Sequence, residues 1–165
     1  MEDKKLFAFL KRLSKELPHF PDGRINYSHS KTCVVLNCTI FYKGKILLLK
    51  RSRKVRHYKG KWNTIGGYID EIKSPKQKAI EEAQEELGIK KSPIKTAKVF
   101  NSFKVYDRKI NRLWVVYPIL LELKSKPKIV LDWEHTNYKW ITPEEINKFD
   151  TIPNLDKQIK RMLAK

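Results

Sequence analysis

Between Ser74 and Ile89 the chain spells out a complete helix, including both of its ends. Ser74 can cap the first turn, Pro75 fits a position where its missing N–H costs nothing, and Gly88 supplies the left-handed stop. The stretches around this helix are of a different kind. Cys33–Tyr42, Ile46–Leu49, Lys95–Tyr106, Arg112–Leu123, Lys128–Leu131 and Tyr138–Ile141 are rich in β-branched and aromatic residues and read as strands. The first two are joined by Lys43-Gly44-Lys45, a short hairpin turn. Strands on both sides of one central helix, with further helices outside them, predict an α/β sandwich around a mixed β-sheet.

The further helices lie near the ends. Glu2–Leu17 sets Leu6, Phe7, Phe9, Leu10, Leu13 and Leu17 at helical spacing among lysines. This predicts an extra N-terminal amphipathic helix docked on its own domain, or serving a homodimer. Pro18 stops it, so residues 1–30 read as helix and connecting loop and residues 31–165 as the folded domain. Thr142-Pro143-Glu144-Glu145 has a capping-box pattern, and a last amphipathic helix is expected from about Asn154. No apolar run approaches the ~20 residues that cross a bilayer, so no membrane partner is expected. The opening segment also lacks the apolar core of a secretory signal. Cys33 and Cys38, on opposite faces of one strand, read as reduced thiols of a cytoplasmic protein.

The chemistry concentrates on the central helix. Its geometry places Glu82, Glu85 and Glu86 on one face, where like charges oppose helix formation unless something neutralises them. Hard Mg²⁺ prefers such carboxylates together with substrate phosphates. The Gly66-Gly67 pair upstream lets the backbone come close, making a Gly66 carbonyl a further candidate metal ligand.

This order resembles the signature of the Nudix hydrolases, G-x5-E-x7-R-E-U-x-E-E-x-G-U, with U aliphatic. Gly67, Glu82, Glu85, Glu86, Gly88 and Ile89 take the matching places. Lys73 stands where the family has Glu, and Glu81 where it has Arg. The signs are exchanged, so a Lys73–Glu81 pair is expected to hold the same junction. Gly60-Lys61-Trp62-Asn63 before the glycines, and Trp133-Glu134-His135 followed by Tyr138–Glu145, are similar to flanking segments of the family.

The resemblance implies the Nudix fold and a hydrolase that breaks a diphosphate linkage in a nucleotide derivative, with Mg²⁺, or Mn²⁺ in its place, as cofactor. Glu82, Glu85, Glu86 and Glu134 would then be catalytic, with Glu86 or Glu134 as general base. Asn63 would touch the base or make a structural hydrogen bond, and Tyr106 stands near a position that marks dinucleoside polyphosphate hydrolases.

Charge adds a second theme. The chain has 36 Lys and Arg against 18 Asp and Glu, for a net +18. Lys50–Lys61 holds seven of those bases and no acid, and Arg51, Arg53 and Lys61 are candidates for binding substrate phosphates. The same surplus supports an alternative function: a catalytically weak Nudix-like domain that binds RNA or a ribonucleoprotein electrostatically.

Overall fold

The computed structural model describes residues 2–164. Two long strands form its centre, β1 (Thr32–Tyr42) and β7 (Arg112–Leu123), paired in parallel along ten positions from Thr32–Leu113 to Phe41–Glu122. All other pairings in the eight-stranded mixed sheet are antiparallel. The free edge of β1 is divided: β4 (Ile65–Tyr68) takes Val35–Cys38, and β2 (Lys45–Arg51) takes Phe41 and Tyr42. The β1-facing edge of β2 continues onto β3 (Trp62–Asn63), and its other edge pairs with β8 (His135–Ile141).

The outer edge of β7 is divided as well. The stretch expected to be one strand, Lys95–Tyr106, forms two: β5 (Ile94–Val99) and β6 (Phe103–Asp107). The interruption lies opposite Pro118, which has no N–H to offer a ladder. Phe100 donates its own N–H to the Pro118 carbonyl there, at 2.9 Å.

Helix α2 (Pro75–Leu87) begins and ends as its sequence dictates. Ser74 accepts from the Gln77 N–H, the Gln77 side chain reaches back to the Ser74 N–H, and Gly88 adopts φ +67°. Its Ala79, Ala83 and Leu87 are buried in the main core with Leu36, Cys38 and Ile69. The other face of β2 turns Ile46 and Leu48 into a second core, shared with Ile159 and Met162 of the C-terminal helix α3 (Leu155–Leu163). Thr142 caps a single 3₁₀ stretch, Pro143–Lys148, rather than an α-helix.

Lys128–Leu131 is not a strand. Its backbone is used elsewhere: the Val130 and Asp132 N–H groups donate to the Leu87 and Glu86 carbonyls, satisfying the last turn of α2. Helix α1 (Glu2–Glu16) buries Leu6, Leu10 and Leu13 in the main core, so the apolar stripe is largely spent within the chain. Cys33 and Cys38 are free thiols, both buried. No helix among the described residues is long and apolar enough to cross a membrane.

Candidate active site

The divided edge of β1 leaves a cavity of about 380 Å³ above β4 and the start of α2. Glu82, Glu85, Glu86 and Glu134 all line it, with Arg51, Asn63 and Gly66. Helical spacing brings the first three together, and the loop after Asp132, tied to the end of α2, brings Glu134.

The carboxylates differ in their surroundings. Glu85 stands exposed at the rim. Glu86 is 3% exposed, and its Oε2 has no hydrogen-bond partner; the His135 Nε2 lies 3.7 Å away. Burial, and then the neighbouring Glu82, Glu134 and Asp132, push the Glu86 carboxyl far above its usual range. Burial lowers His135, although Asp132 at 3.2 Å works against that shift. Glu82 is also raised by burial, with the Lys78 ammonium at 3.2 Å pulling it back. Glu134 is raised by burial and by Asp132, and Arg51 draws it down.

Lys78 was not foreseen as part of the site. One turn before Glu82 on the same face, it is buried against the cavity between Glu82 and Asp70, whose Oδ1 lies 3.6 Å away. Burial pulls its ammonium down, but Glu82 and Asp70 more than offset that, and the net shift is upward. The i to i+4 spacing from Lys78 to Glu82 was the available signal. Arg24, from the loop after α1, reaches the other oxygen of Asp70 at 3.4 Å. Asp70 and Arg24 also line the cavity.

The remaining sequence candidates divide. Arg51 donates from Nε to the His57 carbonyl at 3.1 Å and feels Glu134 and Glu86. Asn63 is buried and accepts from Asn37 Nδ2 at 3.2 Å, which ties β3 to β1 while leaving Asn63 in the cavity wall. Lys61 does not line the cavity: its ammonium is held by Asp150 at 2.6 Å. Arg53 is exposed on the loop beyond β2, and Tyr106 is 55% exposed on β6 with its hydroxyl bonded to Asn111. Neither lines the cavity.

The exchanged pair is present. Lys73 Nζ donates to Glu81 at 3.1 and 3.2 Å and lies 2.9 Å from Glu71, joining the loop to α2. Lys73→Glu should therefore set three acids together and cost up to about 1 kcal/mol, as should Glu81→Arg beside Lys73. The double variant should recover most of the loss in thermal unfolding and in activity. Recovery no better than the worse single change would remove the idea that the pair substitutes for the family's arrangement.

Gly67 meets a stricter demand. A Cβ there would stand 2.8 Å from the Glu82 carboxyl, which is itself fixed by Lys78. Gly67→Ala should displace that carboxylate and lower turnover about 10²-fold, the cost of a misplacement near 1 Å. Unchanged kcat in the alanine variant would show that the close approach is irrelevant.

Among the described residues, no three His, Cys, Asp or Glu side chains are drawn into a preformed cage for a metal. The donor set nevertheless suits a hard divalent cation. It consists of carboxylate oxygens, one of them buried without a partner, beside a glycine pair.

The chain is similar to known proteins in sequence family and in fold. The sequence matches the NUDIX domain over residues 31–164. A MutT protein from Methanosarcina mazei Go1 is similar in fold, with TM-score 0.65 and 23% identity over 83% of this chain and 99% of that one. An Ap4A hydrolase from C. elegans gives TM-score 0.64 at 21% identity, covering 80% of this chain and 96% of that chain. The NUDIX domain of Shewanella oneidensis NrtR, solved with ADP ribose, gives 0.67 at 15% identity, covering 88% and 94%. A comparison with curated proteins returned no significant match. With the signature glutamates gathered on α2 and the domain matched from residue 31 to residue 164, the chain belongs to the Nudix hydrolase family.

Proposed function

We propose that the protein hydrolyses the diphosphate linkage of a nucleoside diphosphate derivative with the help of Mg²⁺ or Mn²⁺. The observation that carries this reading is Glu86: a buried carboxyl whose Oε2 has no hydrogen-bond partner, among Glu82, Glu134 and Asp132. Such a group is costly unless a cation joins it. Glu82, Glu85 and Glu86, with the Gly66 carbonyl, would hold the ion. When bound, the ion offsets diphosphate charge and lowers the pKa of a coordinated water.

The other roles belong to the chain. Glu134, half-buried and raised by burial yet still drawn down by Arg51, is suited to accept the proton of the attacking water. Arg51 faces the same space and can hold a phosphate oxygen while balancing Glu134. Lys78 keeps Glu82 in place and supplies a fixed positive charge at the floor. Asn37, Asn63 and Thr64, hydrogen-bonded to one another, keep the wall beside Gly66 rigid.

The test is a panel of nucleoside polyphosphates, nucleotide sugars and dinucleoside polyphosphates with Mg²⁺ or Mn²⁺, comparing wild type with Glu85→Gln. Turnover by wild type that is lost in the variant supports the proposal. No turnover across the panel overturns it.

A further inference from the structure

The cavity also borders a cluster of positive charge that the hydrolytic reading leaves unused. Arg112, at the start of β7, is 6% exposed, and its guanidinium donates from Nη2 to the Ser28 carbonyl at 3.1 Å. Arg56, exposed on the basic loop, donates from Nη2 to the same carbonyl at 3.3 Å. Two like-charged heads thus converge on one neutral oxygen. Arg112 Nη1 is buried without a hydrogen-bond partner, and so is Nε2 of His57, whose ring lines the cavity.

No carboxylate forms an ion pair with either arginine among the described residues. Asp107 is the cross-strand partner of Arg112, yet it accepts from the Tyr58 hydroxyl at 2.6 Å and from the Lys109 N–H at 3.0 Å. The face of Trp114 offers Arg112 a cation–π contact at 5.4 Å, which is weaker than an ion pair. A buried cation without a counter-ion is a costly arrangement. At His57, burial lowers the pKa and Arg112, Arg56 and Arg51 lower it further, while Asp107 works against them without cancelling the shift.

We propose that Arg56, Arg112 and His57 form a binding site for a phosphate group, beside the part of the cavity wall made by His57 and Trp114. The two guanidiniums supply paired N–H donors suited to phosphate oxygens, and the imidazole N–H adds a third direction. His57 and Trp114, whose rings meet edge to face at 5.9 Å, line the cavity that also holds the glutamates. The proposal does not depend on hydrolysis.

Inorganic phosphate, titrated into the full chain in EDTA at constant ionic strength, is the probe. The His57 ring resonances should shift with saturable binding, and the imidazole pKa should rise as the anion is bound. Arg112→Met should weaken that binding at least five-fold. Arg56→Gln, at an exposed position that cannot threaten folding, should do so too. Glu85→Gln should leave it intact, which separates this site from the metal-dependent one. A second arm compares a nucleoside diphosphate derivative carrying an additional phosphomonoester with its dephosphorylated counterpart. If only the phosphorylated ligand loses affinity in Arg56→Gln, the phosphate comes with the substrate; if neither does while inorganic phosphate binding falls, the site takes the free ion. Either result supports the site. Absence of saturable phosphate binding, or binding indifferent to Arg56→Gln, overturns it.

Discussion

Glu86→Gln should lower kcat by about 10²–10⁴-fold, the range expected when a group central to proton and charge handling is neutralised. The same substitution should stabilise the metal-free protein at alkaline pH. Burial raises the Glu86 carboxyl from its ordinary 4.5 to about 10, so the folded chain holds that proton more tightly than the unfolded chain does. A group raised in this way contributes stability below its unfolded pKa and loses it progressively as pH climbs toward the folded one. In EDTA, the melting temperature of the wild type should therefore decline between about pH 5 and pH 9, and the glutamine variant should decline less. Added Mg²⁺ should restore the wild type and leave the variant nearly unmoved. Parallel melting curves in EDTA would show that Glu86 is not held at a cost. Activity within ten-fold of wild type would remove it from the reaction.

Leu10→Ala should destabilise the whole fold by about 2–5 kcal/mol, although the residue lies outside the span matched to the family. Leu10 is 0% exposed and belongs to the same core as β1, β7 and α2. Truncation there leaves a void flanked by Leu6 and Leu13, which the rigid sheet cannot close. For a domain of this size each kcal/mol corresponds to about 2–4 °C, so the melting temperature should fall by roughly 4 °C or more. A single transition at lower temperature would confirm that α1 unfolds together with the sheet. A separate early transition would make α1 an independent appendage.

Much of this architecture was legible because local signals and burial agree. The caps at Ser74 and Gly88 and the three-glutamate face depend on residues close in sequence, so spacing alone located them. The readings that changed were decided by distant partners. Residues 128–131 have the composition of a strand, but the open carbonyls at the end of α2 claim the N–H groups of Val130 and of Asp132 just after them. The division between β5 and β6 is set by Pro118 on the neighbouring strand. The cavity walls follow the same rule. Arg24, Asp70 and Lys78 meet across three segments, and only helical spacing could have tied Lys78 to Glu82 beforehand. Lys61 and Tyr106 were drawn away by Asp150 and Asn111, partners with no sequence signature.

The parallel pairing of β1 with β7 has a consequence for how the chain reaches this state. It joins residues about 80 positions apart, so the central ladder has to close a long loop before any of its contacts is rewarded. Helix α2 lies inside that loop and can form early, carrying its acidic face before a sheet exists to bury it. Newly made chains should thus pass through a slow step in which α2 waits for the second half of the sequence. Mutations along Val34 or Val115 should retard refolding more than changes of equal cost in α3.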